Sequence, residues 1–498
     1  MNVNPITRLD YPDPDVIRVE DTYYMVSTTM HFMPGCEILQ SFDLVHWEHV
    51  TYVYETLDHT DAQQLKSGQN IYGQGMWAAS LRYHEGRFYI CFVANDTRKT
   101  YLYTSEKIDG PWKKQLIEGF YHDGSLLFDE DGRNYIVYGN DEIWITELNE
   151  DLTAPKKDGL HSLLVSDHKN PELGYEGSHI QKINGYYYIF LVHSLRDRWM
   201  RTEACFYSDS LEGEFTGGDV LCDDRGYCGQ GVAQGGIVDT PDGKWYAMLF
   251  QDSGAVGRIP ILLPVTWKDH FPFFGQNGHV PEEIEVHSTR PGYIYQPLVG
   301  SDDFCNGLLP RWQFNHDPDP RYYHLDALQG TYTITTREVC TELTQAVNTL
   351  TQRMSYPSCA AEVTVDASAL KEGDVAGLCA LQSCYAAVGI TKHHGKYEVL
   401  MLDKKEDGIL DMTEGTVVES HQMDFRLEAD FCNMKDEARC YYRVNKGDWL
   451  PIGTVHKLYF KLDHFTGCRF GLFCYAAEET GGSACFRDFK YYDVDEIS

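Results

Sequence analysis

A chain of 498 residues with a formal net charge of −33 repels phosphate-bearing partners, which argues against nucleic acid and against an anionic membrane surface. Its 43% hydrophobic and 13% aromatic content is that of a packed globular protein, and the length calls for one large and one smaller domain. Abundant tyrosine leans toward β structure. The opening, MNVNPITRLD, shows neither a basic stretch nor an apolar core, and no segment approaches the roughly 18 apolar residues of a membrane helix. The 15 cysteines have no CxxC pair and no zinc-finger spacing. They read as reduced, mostly buried thiols, and the expected location is cytoplasmic.

In chain order, five segments repeat one pattern: DVIRVEDTYYMVST from Asp15, SLRYHEGRFYICFVA from Ser80, SLLFDEDGRNYIVYG from Ser125, SHIQKINGYYYIFLVHS from Ser178 and GGIVDTPDGKWYAMLFQ from Gly235. Each is a short apolar strand, a tight turn of Gly, Asp, Asn or Glu, and an aromatic-rich strand, which is the signature of a β-hairpin. Aligned on Tyr24, Tyr89, Tyr135, Tyr188 and Tyr246, the copies are spaced for four strands each. That predicts a five-bladed β-propeller over residues 1–295. Counting back twelve residues from each tyrosine, or eleven in the first copy with its shorter turn, lands on Asp13, Trp77, Asp123, Glu176 and Gln234. The innermost strand of each blade lines the axis, so these positions are expected to share one funnel.

Each acid taken alone would most often be a turn or cap residue. Three carboxylates converging in a funnel raise at least one pKa and point to chemistry. Glycosidic cleavage needs one protonated carboxyl for the leaving oxygen and one ionised carboxylate to activate water or attack carbon. His31, Phe32, Trp77 and Gln234 are the expected sugar-binding residues, although Phe32 and Trp77 suit packing between blades equally well. A metal is the rival use of clustered acids, but His31, His122, His179 and His193 show no metal-ligand spacing, so none is assigned. From about residue 302, runs such as AAEVTVDAS, KYEVLML and RFGLFCYA alternate apolar and polar residues, predicting an antiparallel β-sandwich over 302–498. The linker is poor in Ser and Pro, favouring a tightly docked domain over a free-standing carbohydrate-binding module.

Several motifs in order resemble one family. They are Asn4-Pro5 with Tyr11 to Pro14, SFDLVHWEHV from Ser41, Trp77-Ala78-Ala79, His122 to Ser125, Glu176-Gly177-Ser178-His179 with Lys182 to Tyr188, and Gly257 to Pro260. The set is similar to glycoside hydrolase family 43, in particular its two-domain β-xylosidases and α-L-arabinofuranosidases, over essentially the full length. The resemblance implies an all-β fold of a five-bladed propeller and a concanavalin-like sandwich that can send a loop toward the active site. It implies exo-acting hydrolysis with inversion, which places the two working carboxyls about 6.5–9.5 Å apart. Asp13 is then the general base, Glu176 the general acid, and Asp123 the residue that tunes and orients the acid. Arg258 matches an arginine near the substrate. Xylose and/or L-arabinose released from small neutral xylo- or arabinoxylo-oligosaccharides is the expected product, with no cofactor required. A structural calcium is a family feature that the axial Gln234 does not support. Asp15, where many members have serine, and Gly124, where many have proline, are expected to alter the pocket's shape. Homo-oligomerisation is compatible with the sequence. The alternatives are a related β-fructosidase, whose WMNDPNG and RDP elements are absent, and a propeller that binds carbohydrate without catalysis.

Overall fold

The structure is a computed structural model that describes residues 2–413, 415–461 and 463–493. Its first part holds five four-stranded antiparallel sheets. Their first strands, Asp15–Val19, Met76–His84, Ser125–Phe128, Glu176–Ile183 and Ala233–Asp239, lie in sequence around an axis, the fifth returning against the first. The second strand of each blade reads as an unbroken apolar run because both of its faces are covered. In Arg87–Ala94, Phe88, Ile90, Phe92 and Ala94 enter one inter-blade core with Leu81, Tyr101 and Tyr103. Cys91, pointing the other way, enters the next core with Leu126 and Ile136.

Side chains staple consecutive inner strands across the axis. Ser80 Oγ accepts the Leu126 N–H at 3.2 Å, Ser125 Oγ the Ile180 N–H at 3.1 Å, and Asp15 Oδ2 the Leu81 N–H at 2.7 Å. Asp15 thus does the work of the serines in the other blades, but it carries a charge. It also meets Arg82 Nη1 at 2.8 Å and His179 Nδ1 at 3.1 Å. Arg82 in turn reaches Ser125 Oγ and the Leu126 carbonyl. Asp15 was expected to shape the pocket; it sits instead along the axis, at the first residue of its strand, and pins blades 1, 2 and 4 together.

The ring is closed by Asn2–Val3 pairing with Glu283–Ile284, and by the Asn4 side chain, which bonds the backbone of Leu262 on both its oxygen and its nitrogen. The sandwich comprises a seven-stranded and a nine-stranded sheet. One strand of the larger sheet comes from the propeller: Phe32–Met33 pairs with Gln313–Asn315. A buried ion pair, Arg353 Nη1 to Glu37 Oε2 at 2.8 Å, lies at the same seam. All 15 cysteines are free thiols, and among the described residues no helix is long and apolar enough to cross a membrane.

Candidate active site

At or near the start of each inner strand stands a residue in the left-handed region: Asp13 (φ 52°), Ala78 (22°), Asp123 (48°), Gly177 (66°) and Gln234 (63°). The strand pairings make these five equivalent, because Ile17, Arg82, Leu127, Gln181 and Val238 face the aligned tyrosines. The count of twelve is therefore one residue long in blades 2 and 4, whose hairpins are as short as that of blade 1. Trp77 and Glu176 stand one place earlier, at the position of His122. In blades 2, 4 and 5 the pairing register shifts between this position and the strand proper, and such a bulge re-aims a side chain. Two positions, not one, supply the site. Asp13 and Asp123 form its floor, while Trp77, His122 and Glu176 come from the preceding place.

The floor is tightly held. Asp13 is buried; its Oδ2 accepts from Thr28 Oγ1 at 2.6 Å and its Oδ1 from Arg258 Nη1 at 3.0 Å. Asp123, also buried, accepts the Gly177 N–H at 2.9 Å, which ties it to the residue after Glu176. Gly177 is required twice over. Its φ is left-handed, and a Cβ there would come within 2.8 Å of the Gln234 side chain. Glu176 is half-buried, and its Oε2 accepts from Asn140 Nδ2 at 2.7 Å. His122 Nε2 lies 3.5 Å from Asp123 and 3.7 Å from Glu176, at ion-pair range of both.

Burial opposes a charge on His122, but Asp123, Glu176 and Asp13 prevail and carry the imidazole up to about 9. For Asp123, burial pushes the carboxyl up, His122 pulls it down, and Glu176 and Asp13 add to the rise, which ends at about 6. An enzyme that uses ionised Asp123 gains activity as pH rises through that value. His122→Gln removes the opposing cation, so the Asp123 carboxyl rises further. The acid limb of the kcat/KM profile should move to higher pH with it; an unmoved limb would show that the His122 charge does not govern Asp123.

Above the floor opens a cavity of about 860 Å³ whose wall includes Trp77, Glu176, Arg201, Asp252 and Arg258. The sandwich supplies its far side through Tyr459, Phe460, Lys461, Asp463 and Phe465. Phe465 stacks on Trp77 at 5.2 Å between ring centroids and lies under the Arg258 guanidinium at 4.2 Å. This loop is bolted down by Asp10, which accepts the N–H groups of Arg258 (2.7 Å) and Gly467 (2.9 Å). His464 next to Phe465 is buried against Tyr72, with ring centroids 3.9 Å apart. Arg258 thus occupies the expected place, between the floor and Phe465. Arg201 and Asp252, which pair closely with each other, were not found from the sequence. Nothing local marks them, since they lie on strands whose apolar neighbours dominate the pattern.

Three expected sugar contacts are corrected. His31 and Phe32 do not line the cavity; their exposures are 0% and 2% because the strand Gln313–Asn315 covers them, and the Arg469 guanidinium sits 3.5 Å from the Phe32 ring centre. Gln234 is buried under Gly177, its N–H given to Glu203 Oε2 at 2.7 Å. Among the described residues, the group compact enough to hold a metal ion is His122, Asp123 and Glu176, with donor atoms within 4.8 Å of one another. Its members come from two blades, so sequence spacing does not announce it.

The model of the glycosyl hydrolases family 43 matches residues 3–272, more than half of the chain, and that of the β-xylosidase C-terminal concanavalin A-like domain matches 301–492. The chain belongs to glycoside hydrolase family 43. Family membership makes it a glycosidase acting on O-glycosyl bonds and disfavours the binding-only and β-fructosidase alternatives. A β-xylosidase of Formosa agariphila is 26% identical over 99% of this chain and 89% of its own. A xylosidase/arabinosidase of Butyrivibrio fibrisolvens is 23% identical over 99% of each chain. The solved structure of a bifunctional GH43-CE protein of Bacteroides eggerthii is 42% identical with a TM-score of 0.93; it covers all of this chain, which spans 64% of that protein's chain.

Proposed function

We propose that this family 43 enzyme releases terminal D-xylose or L-arabinose from xylo- or arabinoxylo-oligosaccharides with inversion of configuration. Asp13 is the general base, Glu176 the general acid, and Asp123 the residue that tunes and orients the acid. The placement of the carboxyls carries this reading: Asp13 lies in the closed floor, whereas Glu176 stands in the wall of the open cavity. A proton donor must face the oxygen that departs, and a base must face the water arriving from the opposite side. Thr28 and Arg258 fix the direction of the Asp13 carboxylate, and the Gly177 N–H couples Asp123 to the backbone that carries Glu176. A floor sealed by Phe465, Trp77 and Arg258 suits a single terminal sugar.

Both sugars are supported by the names of the relatives, a β-xylosidase and a xylosidase/arabinosidase. The free, mostly buried thiols support a reducing, cytoplasmic location. Steady-state hydrolysis of aryl β-D-xylopyranoside and aryl α-L-arabinofuranoside tests the sugar class, and NMR of the first-formed anomer tests inversion. Turnover of neither substrate would overturn the reading.

A further inference from the structure

Behind Phe465, where the propeller meets the sandwich, three imidazoles from distant parts of the chain pack together. His31 comes from the propeller, just ahead of the strand Phe32–Met33; His316 follows the strand Gln313–Asn315, and His464 precedes Phe465. Ring centroids lie 4.8 Å apart for His31 and His316 and 5.7 Å apart for His31 and His464. Tyr72 touches all three, at 4.8 Å from His31, 4.5 Å from His316 and 3.9 Å from His464. The His316 N–H bonds the His31 carbonyl at 3.2 Å, which ties the two domains backbone to backbone. All three rings are buried, and among the described residues none pairs with a carboxylate. His316 Nε2 accepts the Ile71 N–H at 3.0 Å, so this ring is neutral. Its Nδ1 and both nitrogens of His31 meet no hydrogen-bond partner. Such orphaned atoms cost stability that a leucine or phenylalanine would not.

The surroundings keep protons out. Burial, the other two imidazoles and Arg469, which packs on Phe32, oppose a charge on His31, and the Asn315 amide alone favours one. Burial and His464 act likewise on His316, and burial on His464. The carboxylates of the packed elements are engaged elsewhere: Asp317 with His59 at 2.8 Å, Glu342 with Lys404 at 2.9 Å, and Asp10 with the N–H groups of Arg258 and Gly467. Asp463 faces the cavity, and Lys461 pairs with Glu406. We propose that the three imidazoles form an acid-sensitive clasp between the domains, which holds the segment carrying Phe465 over the site at neutral pH and releases it in mild acid. Opening exposes each ring to water, where it takes up a proton near about 6.5. The closed form excludes those protons, so each imidazole favours opening about tenfold per pH unit below that value. Above it no proton is gained and the clasp holds in full. On opening, Trp77 and Arg258 lose the ring of Phe465, and one wall of the cavity goes with it.

Hydrogen exchange on the full chain reads the clasp through two amides. Phe465 N–H bonds the Lys461 carbonyl at 2.8 Å, and Cys468 N–H bonds the propeller's Ala255 carbonyl at 2.8 Å. Corrected for the intrinsic pH dependence of exchange, their protection should fall about 100-fold or more between about pH 7 and 5.5, while that of Tyr186–Ser194 inside blade 4 holds. The slope should correspond to about two or more protons per opening. Asp10, whose carboxyl burial raises, can supply one of them at most. His464→Phe keeps a ring on Tyr72 but cannot titrate, so the fall should shrink nearly tenfold, and His31→Phe should do the same. A wild-type slope of about one proton or less, a fall shared by blade 4, or variants that fall as far as wild type would overturn the clasp. The wild-type slope decides the matter by itself if a variant does not fold.

Discussion

Glu176→Gln is expected to lower kcat on xylobiose by about 10²–10⁴-fold, the usual worth of a positioned proton donor, while a dinitrophenyl glycoside of the same sugar loses far less. The reason lies in the leaving group. An alkoxide departing from xylobiose needs a proton in the transition state, whereas a dinitrophenolate is stable without one. Gln keeps the hydrogen-bonding partner that Asn140 uses at 2.7 Å but has no proton to give. Asp13→Asn is the counterpart. It removes the group that accepts the water's proton, and it should slow both substrates alike, because water must be activated whatever leaves. Steady-state rates for the two variants on the two substrates give four values. The assignment of acid and base requires that the leaving-group dependence appear in one variant only. Equal losses on both substrates in Glu176→Gln would remove Glu176 from the role of acid.

Asp15→Ser should cost about 3–5 kcal/mol of stability at neutral pH, the range found when one partner of a buried ion pair is removed. Serine can keep the staple to the Leu81 N–H, as Ser80 and Ser125 do for their neighbours, so the substitution isolates the charge. Arg82, whose side chain is 13% exposed, would be left on the axis without its carboxylate. Burial works against an ionised Asp15, but Arg82, His179 and the Leu81 N–H outweigh it and hold the carboxyl down at about 2. Because the folded value lies below the ordinary 3.8, this stabilisation is complete above pH 4 and is lost as pH falls from there toward 2. Urea unfolding at neutral and acidic pH checks both parts. The variant should be weaker at neutral pH, and the gap to wild type should narrow in acid. A loss below about 1 kcal/mol at neutral pH would mean that Arg82 is satisfied by the Ser125 hydroxyl and the carbonyls it already touches.

The repeat was legible because everything that makes a hairpin is local. A turn of Asp, Gly or Asn between two short apolar runs reverses the chain wherever it occurs, and five such reversals at blade spacing leave few folds to choose from. The acids Asp13, Asp123 and Glu176 could be picked out for the same reason, each standing at or just ahead of the start of a strand. Their exact register could not. The hairpins of blades 3 and 5 are one residue longer than the others, and no property of the residues aligned by their tyrosines reveals this. In a strand successive side chains point to opposite faces, so a miscount by one exchanges floor for wall. It concealed that Glu176 shares its position with His122 and Trp77, and with that the role of His122 beside both acids.

Tertiary structure alone decided what covers what. His31 and Phe32 look like sugar contacts in a propeller taken by itself, and they are buried only because a strand about 280 residues later claims Phe32–Met33 as an edge. Arg201, Asp252 and Phe465 meet at the site from two blades and a second domain, and the attraction between an arginine and an aspartate leaves no trace in the spacing between them. Local turn chemistry and alternation are written in short stretches of chain, and they fixed the architecture and the acids. Charge pairing and the closing of the pocket depend on distances in space, and these exist only once the chain has folded.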